Sequence, residues 1–235
     1  KGGKQRDLEK EKKKKMATSS SSSEELSYGD VDPFDQEAML TAGQRFMQLD
    51  NGWKDWKDKS GVVMHRKSVP GTSLKALRIH FAMNATPEDV VASLRDQGLR
   101  SKWDTRFMGS EIIEELGKGT AVVRDMIKAP SVISNRDVLV VRHDIRREDG
   151  SILLLARSVE REDCPPVKGF VRSHLWMQIF DIQPTKDGKV SVTVAAHMDP
   201  KGSIPKWVVN KATGQQFKIT LAMMKVVESI TSKKL

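Results

Sequence analysis

An α+β fold is expected, with a curved antiparallel sheet wrapped around one long C-terminal helix. Three observations predict it. Strand-like runs follow one another from "RFMGSEIIEEL" to "KVSVTVAAHM" with only turns between them, as antiparallel pairing allows. The joins "GKG", "EDG" and "KDG" put glycine where a hairpin needs positive φ. The chain then closes on a long amphipathic stretch, "GSIPKWVVNKATGQQFKITLAMMKVVESITSKK". A helix of that length must cover the concave face of a strongly curved sheet, and the space between them either fills completely or leaves a pocket.

Each element follows in order. Residues 1–33 read as a flexible tail: "KGGKQRDLEKEKKKK" carries eight basic and three acidic residues, and the serine run after it has no apolar surface to bury. The "MATSSSSSEE" that follows looks like a start of its own, so the first fifteen residues read as a tag, linker or upstream sequence. A single domain is expected over 34–235. It begins with a helix on which Phe34, Ala38, Ala42, Phe46 and Leu49 share a face, with Asp32 as cap and Pro33 in the first turn. Three short strands come next, in "GWKDWKDK", "VVMHRKSV" and "LKALRIHFAM". "NATPEDVVASLRDQG" is a compact helix capped by Thr86, opened by Pro87 and stopped at Gly98. Six strands then lead to the final helix. Its stripe is Ile204, Val208, Ala212, Ile219, Met223, Val226 and Ile230, with Lys206, Lys211, Lys218 and Lys225 largely off it. "GKGT" lacks the full phosphate-loop spacing and is read as a turn.

One strand raises a chemical question. In "SNRDVLVVRHD", Val138, Val140 and Arg142 share one face, while Leu139, Val141 and His143 take the other. A charge on an apolar strand face is costly unless paired or wet. On the preceding strand Asp125 shares a face with Ala121, Val123 and Ile127, so an acid and an arginine on neighbouring strands are expected to neutralise each other. The alternatives are a structural ion pair that fixes register, or two side chains facing solvent. Asn135, Asp137 and Arg136 are read as a braced turn.

Bulk composition narrows the function. The net charge of +9 is concentrated in the first fifteen residues, so the tail suits an anionic membrane surface and nucleic acid is not the expected partner. The single cysteine, Cys164, excludes an internal disulfide and a cysteine-based metal cluster, and favours a reducing compartment. No apolar run approaches a membrane span. His65, His80, His143, His174 and His197 show no paired-ligand spacing, and no GxSxG elbow is present. No metal or cofactor and no catalytic residue is expected.

Four stretches together, in order and at matching spacings, carry a family resemblance. They are "LRSKWDTRF" after the second helix, "ISNRDVLVVR", "VKGFVRSHLW" and "HMDPKGSIPKWVVN" before the last helix. Over about residues 35–232 the chain resembles the START domain, the lipid-transfer domain named after the steroidogenic acute regulatory protein. The resemblance implies a helix-grip fold holding one lipid in an internal cavity, with the final helix and the loop "KAPSVIS" as lids. It implies that Asp125 and Arg142 are polar anchors near a sterol hydroxyl. It also implies that Arg100 matches an arginine used for lipid phosphate in the phosphatidylcholine carrier. The cage tryptophan of that carrier is replaced by Asp125, and the only tyrosine is Tyr28, so a choline cage is not expected.

The expected lipid-binding residues are Asp125, Arg142, Arg100, Val123, Ile127, Val140, Met177, Met198, Trp207 and Val208. The expected lid is Ala129, Pro130, Ser131, Val132 and Ile133. Met126, Met177, Met198, Met223 and Met224 are candidates for an adaptable lining. The expected function is non-enzymatic binding and intermembrane transfer or sensing of a sterol or another mostly apolar lipid, in the cytoplasm and peripherally at membranes. The alternatives are a scaffold or subunit whose pocket has filled, and an enzyme on the same fold.

Overall fold

The structure, a computed structural model, describes residues 31–50 and 52–234, with the side chains of residues 206–213 left aside. Residues 1–30 of the expected tail lie outside the described residues. From Val31 onward the chain makes contacts: Val31 packs against the cluster under the first helix, and the Pro33 carbonyl lies 2.9 Å from buried His143 Nε2.

Helix α1 (Gln36–Met47) is capped by Asp35, whose carboxylate accepts from Glu37 N and Ala38 N. The expected cap, Asp32, lies three residues earlier and accepts from Phe34 N instead. Strands β1 (Lys54–Lys59), β2 (Val62–Ser68) and β3 (Lys75–Met83) follow. Thr86 and Asp89 form a reciprocal capping box on α2 (Pro87–Arg95). Gly98 does not stop this helix. Asp96 ends α2 and, accepting from Leu99 N, starts a short α3 (Gln97–Trp103) that contains Gly98.

Seven strands follow, one more than expected: β4 (Phe107–Gly117), β5 (Thr120–Ile127), β6 (Asn135–Arg146), β7 (Ile152–Ser158), β8 (Phe170–Arg172), β9 (His174–Pro184) and β10 (Val190–Asp199). Helix α4 (Lys206–Thr231) ends the described fold. The sheet order is β1-β2-β3-β10-β9-β7-β6-β5-β4, antiparallel throughout that path, while the extra strand β8 pairs in parallel with β6.

Strand alternation sorts the apolar side chains into four clusters. On the concave face, Phe217, Ile219, Met223 and Val227 of α4 pack with β2, β3, β10 and α2. A second concave cluster holds Val123, Val138, Val140, Ala156 and Leu175. On the convex face, α1 covers Leu153, Leu155, Met177 and Ile179, and Val122, Leu139 and Val141 meet Cys164. Strand β6 is therefore apolar on both faces because both are covered. His143, on the convex face as expected, is fully buried and bonds to Thr120 Oγ1.

The expected stripe of α4 is displaced by about a residue. Phe217, Thr220 and Val227 are buried beside Ile219 and Met223, whereas Val226 and Ile230 are half-buried. Burial of Thr220 is tolerated because its hydroxyl donates back to the Gln216 carbonyl. At its far end α4 is clasped to α2. Buried Asp89 accepts from Thr231 Oγ1 at 2.8 Å and is paired with Lys234, while Glu228 accepts from Asn84 N.

Candidate functional site

Between the two concave clusters lies a cavity of about 380 Å³, roofed by α4 and closed at one side by α2, α3 and the turn through Asp104 and Arg106 that follows α3. Its walls are mostly apolar and come from β3, β5, β6, β7, β9, β10 and α4. This volume is at the lower end of small-molecule sites, which run about 300–1,000 Å³.

Most of the charged lining comes from α2, α3, the turn after α3, β5 and β6, with Lys75 of β3 apart. Asp125 and Arg142 both line the cavity, but they do not pair. In the β5–β6 register Asp125 stands opposite Val138, and Arg142 stands opposite Ala121, so the two are four residues out of step. Asp125 instead accepts from Arg100 Nη1 of α3 at 2.9 Å, and the Arg100 guanidinium lies 4.2 Å above the Phe107 ring. The expected cross-strand pair is thus replaced by a helix-to-strand pair.

Arg142 meets a different acid. Its Nε is 3.6 Å from Asp144 Oδ1, two residues along on the same strand face. Asp144 is already held by Arg95 of α2 through two hydrogen bonds, at 3.1 and 2.5 Å. Among the described residues the Arg142 side chain makes no hydrogen bond, and its Nε is buried. Burial lowers the Arg142 pKa, and nearby Arg95 adds to this, while Asp144 and Asp125 partly oppose it. A fourth arginine, Arg106, reaches Asp104 at 3.4 Å and donates to Gln216 of α4 at 3.2 Å, tying the cavity wall to its roof.

Of the expected lipid-binding residues, Arg100, Val123, Asp125, Ile127, Val140, Arg142 and Met198 line the cavity. Met177 does not. It sits opposite His197 and points to the convex face, fully buried among the side chains under α1. Trp207 and Val208 carry side chains outside the described residues. Ala129, Pro130, Ser131, Val132 and Ile133 form a turn, closed by Ile133 N donating to the Pro130 carbonyl, and contribute nothing to the cavity wall. The turn springs from the cavity rim, where Lys128 N donates to the Arg106 carbonyl. Of the expected methionines, Met198 and Met223 reach the cavity, and Met126 and Met224 do not.

Sequence reasoning missed Lys75, Arg95, Arg106, Gln178, Gln216 and Thr220 on the wall. Asp144 was legible by the alternation that singled out Arg142, being two residues further on. The "SNRD" residues are structural, though within β6 rather than in a turn. Arg136 donates to the Pro200 and Lys201 carbonyls, and fully buried Asp137 takes two hydrogen bonds from Arg172.

Comparison with known proteins bears directly on this architecture. Residues 35–228 match the family model for the START domain. Human StAR-related lipid transfer protein 5 is 33% identical over 183 residues, 74% of this chain and 84% of that protein. Its solved structure has a TM-score of 0.75 at 26% identity, covering 83% of this chain and 95% of the solved one. Mouse START domain-containing protein 10 is 29% identical over 180 residues, 76% of this chain and 61% of the relative. An Arabidopsis thaliana protein named "Protein ENHANCED DISEASE RESISTANCE 2-like" is 31% identical over 60% of this chain, which spans only 20% of the relative. The chain thus covers between a fifth and about three fifths of the length of these last two relatives. Among the described residues no helix is long and apolar enough to cross a membrane. With its open antiparallel sheet closed by a C-terminal helix, and with nearly all of that unit matched, the chain belongs to the START domain family.

Proposed function

We propose that this domain binds one mostly apolar lipid, a sterol or a lipid of similar bulk, in its internal cavity and carries it between membranes without chemical turnover. The observation that carries the reading is the mostly apolar 380 Å³ cavity under α4, whose charged lining comes from α2, α3, the turn after α3, β5 and β6, with Lys75 of β3 apart. A compact single ligand suits that volume better than a lipid with two long acyl chains. Burying roughly 400 Å² of ligand surface yields on the order of 10 kcal/mol before ordering costs, which is enough for binding without a reaction. In this reading Asp125, Arg100 and Arg142 orient the ligand's polar end, and the loop Ala129–Ile133 moves with α4 to admit it. Val132, which is 63% exposed at the tip of that loop, is placed to touch a bilayer first. The basic tail adds attraction to anionic surfaces. The similar human protein is a StAR-related lipid transfer protein, which supports lipid carriage here.

Transfer of fluorescent sterol and of several phospholipids between donor and acceptor vesicles tests the proposal. The expected result is faster sterol transfer with the protein present, and lipid recovered chemically unchanged. Equal rates with and without the protein for every lipid tried would end the carrier reading.

A further inference from the structure

We infer that the ligand's polar end is an acidic group, a carboxylate or a phosphate or sulfate monoester, seated on Arg142. The inference rests on the cavity being a lipid site, as proposed above, and adds the charge of its occupant.

The charge inventory of the wall carries it. Among the described residues five basic side chains line the cavity, Lys75, Arg95, Arg100, Arg106 and Arg142, against the two carboxylates Asp104 and Asp125. Asp144, further along the same face of β6, supplies a third, and Glu115 of β4 adds a negative charge near Arg142. Each of the first three carboxylates already has its own arginine. Asp125 is held by Arg100, Asp104 faces Arg106, and Asp144 is gripped through both oxygens by Arg95. Lys75 donates to Ser68 Oγ at 2.6 Å, at the end of the β2–β3 ladder. Arg142 is left as the surplus cation. Among the described residues its one carboxylate contact is the 3.6 Å approach to Asp144, and its side chain, about one-fifth exposed, lines the cavity.

A neutral hydroxyl gives such a guanidinium one acceptor. An acid gives it two oxygens in the planar fork that the group is built to meet, together with the missing charge. Arg95 stands nearby and repels Arg142, so an incoming anion relieves that repulsion as well. A carboxylate or phosphate arriving here displaces no hydrogen bond and meets only the long 3.6 Å pair with Asp144. At Arg100 it would have to compete with Asp125.

The test uses the full chain and three probes with one tail: a fluorescent polyene fatty acid, its methyl ester and its primary alcohol. A fluorescent sterol is titrated alongside, all at neutral pH and about 0.15 M salt, where exposed charges are largely screened. The acid is expected to bind about tenfold or more tightly than the ester and the alcohol. Arg142→Gln should abolish that preference by weakening the acid most of all, and Arg142→Lys should keep most of it. Equal affinity of acid, ester and alcohol for the unaltered protein overturns the inference and leaves the lipid reading standing. That comparison needs no variant, so it decides the matter even if Arg142→Gln fails to fold. If neither the sterol nor any probe binds, both readings fall. Acetate or inorganic phosphate displacing the acid as well as unlabelled fatty acid does would show a site for free anions, which also overturns the inference. A preference for acid that survives in Arg142→Gln would move the seat elsewhere and refute the assignment to Arg142.

Discussion

A guanidinium buried without a hydrogen bond is a cost to the folded state, and Arg142 carries that cost while Arg95, one helix away, does not. Arg95 donates two hydrogen bonds to Asp144, whose side chain is 14% exposed, so removing Arg95 strands a buried carboxylate. Removing Arg142 strands nothing, because Asp144 keeps both of Arg95's bonds. Arg142→Leu is therefore expected to change stability by less than about 1 kcal/mol, or to raise it. Arg95→Leu should cost about 2–4 kcal/mol. Urea unfolding of the two variants beside the parent measures the difference. Equal losses would mean that Asp144 is shared evenly and that the surplus cation on the wall is an error. Had Asp125 and Arg142 paired across the strands as the sequence suggested, both variants at that pair would have been costly. The four-residue offset in register removes the reason.

At the scale of elements, turn chemistry is as decisive as pairing. The β4–β5 hairpin closes through Gly117, Lys118 and Gly119, all at positive φ, and a Cβ on Gly119 would stand 2.4 Å from the Asp144 carbonyl oxygen. That carbonyl is backbone and has no room to retreat, since Asp144 N also donates to the Gly119 carbonyl. Gly119→Ala should cost about 2–3 kcal/mol, strain and clash together, whereas Gly117→Ala, which meets nothing within 4 Å, should cost about 1 kcal/mol. Thermal melts of the two single variants check the ratio; similar losses would show that the hairpin gives way as a whole. The same hairpin shows what the sequence made legible. Glycine-marked turns and period-two alternation carry strand identity and facing, and both faces of β6 were assigned correctly from its residues alone. Register is set by pairing along the whole sheet, and bulges such as that between His197 and Met198 shift it without any local sign. Hence Asp125 and Arg142 were placed on the right face but given the wrong partners, and Met177 was placed on the wrong face. The stripe of α4 was misread by about a residue because its core positions include a threonine that satisfies itself.

For the molecule as a whole, burial of histidines couples folding to pH. His197 is almost fully buried and stacks on Trp176 at 4.2 Å between ring centroids. Burial pushes its pKa down to about 4, with a backbone hydrogen bond at Leu74 and the charge of Asp199 opposing only in part. Burial likewise lowers His65, His80 and His174, helped by Arg78 at the first two and by Lys201 and Arg157 at the third. A depressed native pKa means that the unfolded chain binds more protons, so stability rises with pH across the gap between the two values. The contribution of His197 is complete above the ordinary value of about 6.5 and is lost as pH falls toward about 4. Between pH 6.5 and 5 that one side chain should remove about 1.5 kcal/mol, at no more than about 1.4 kcal/mol per pH unit. Asp181 works in the opposite sense, because burial raises its carboxyl above the usual range and acid then favours the native state. Four histidines against one carboxyl leave a net loss of stability in mild acid. Urea midpoints of the parent at neutral pH and at pH 5 should show it, and His197→Phe, which keeps a ring against Trp176, should flatten the dependence by the share of one group. A variant as steep as the parent would mean that His197 is charged in the native state, and the stack on Trp176 would then have to be a cation–π contact rather than a buried neutral pair.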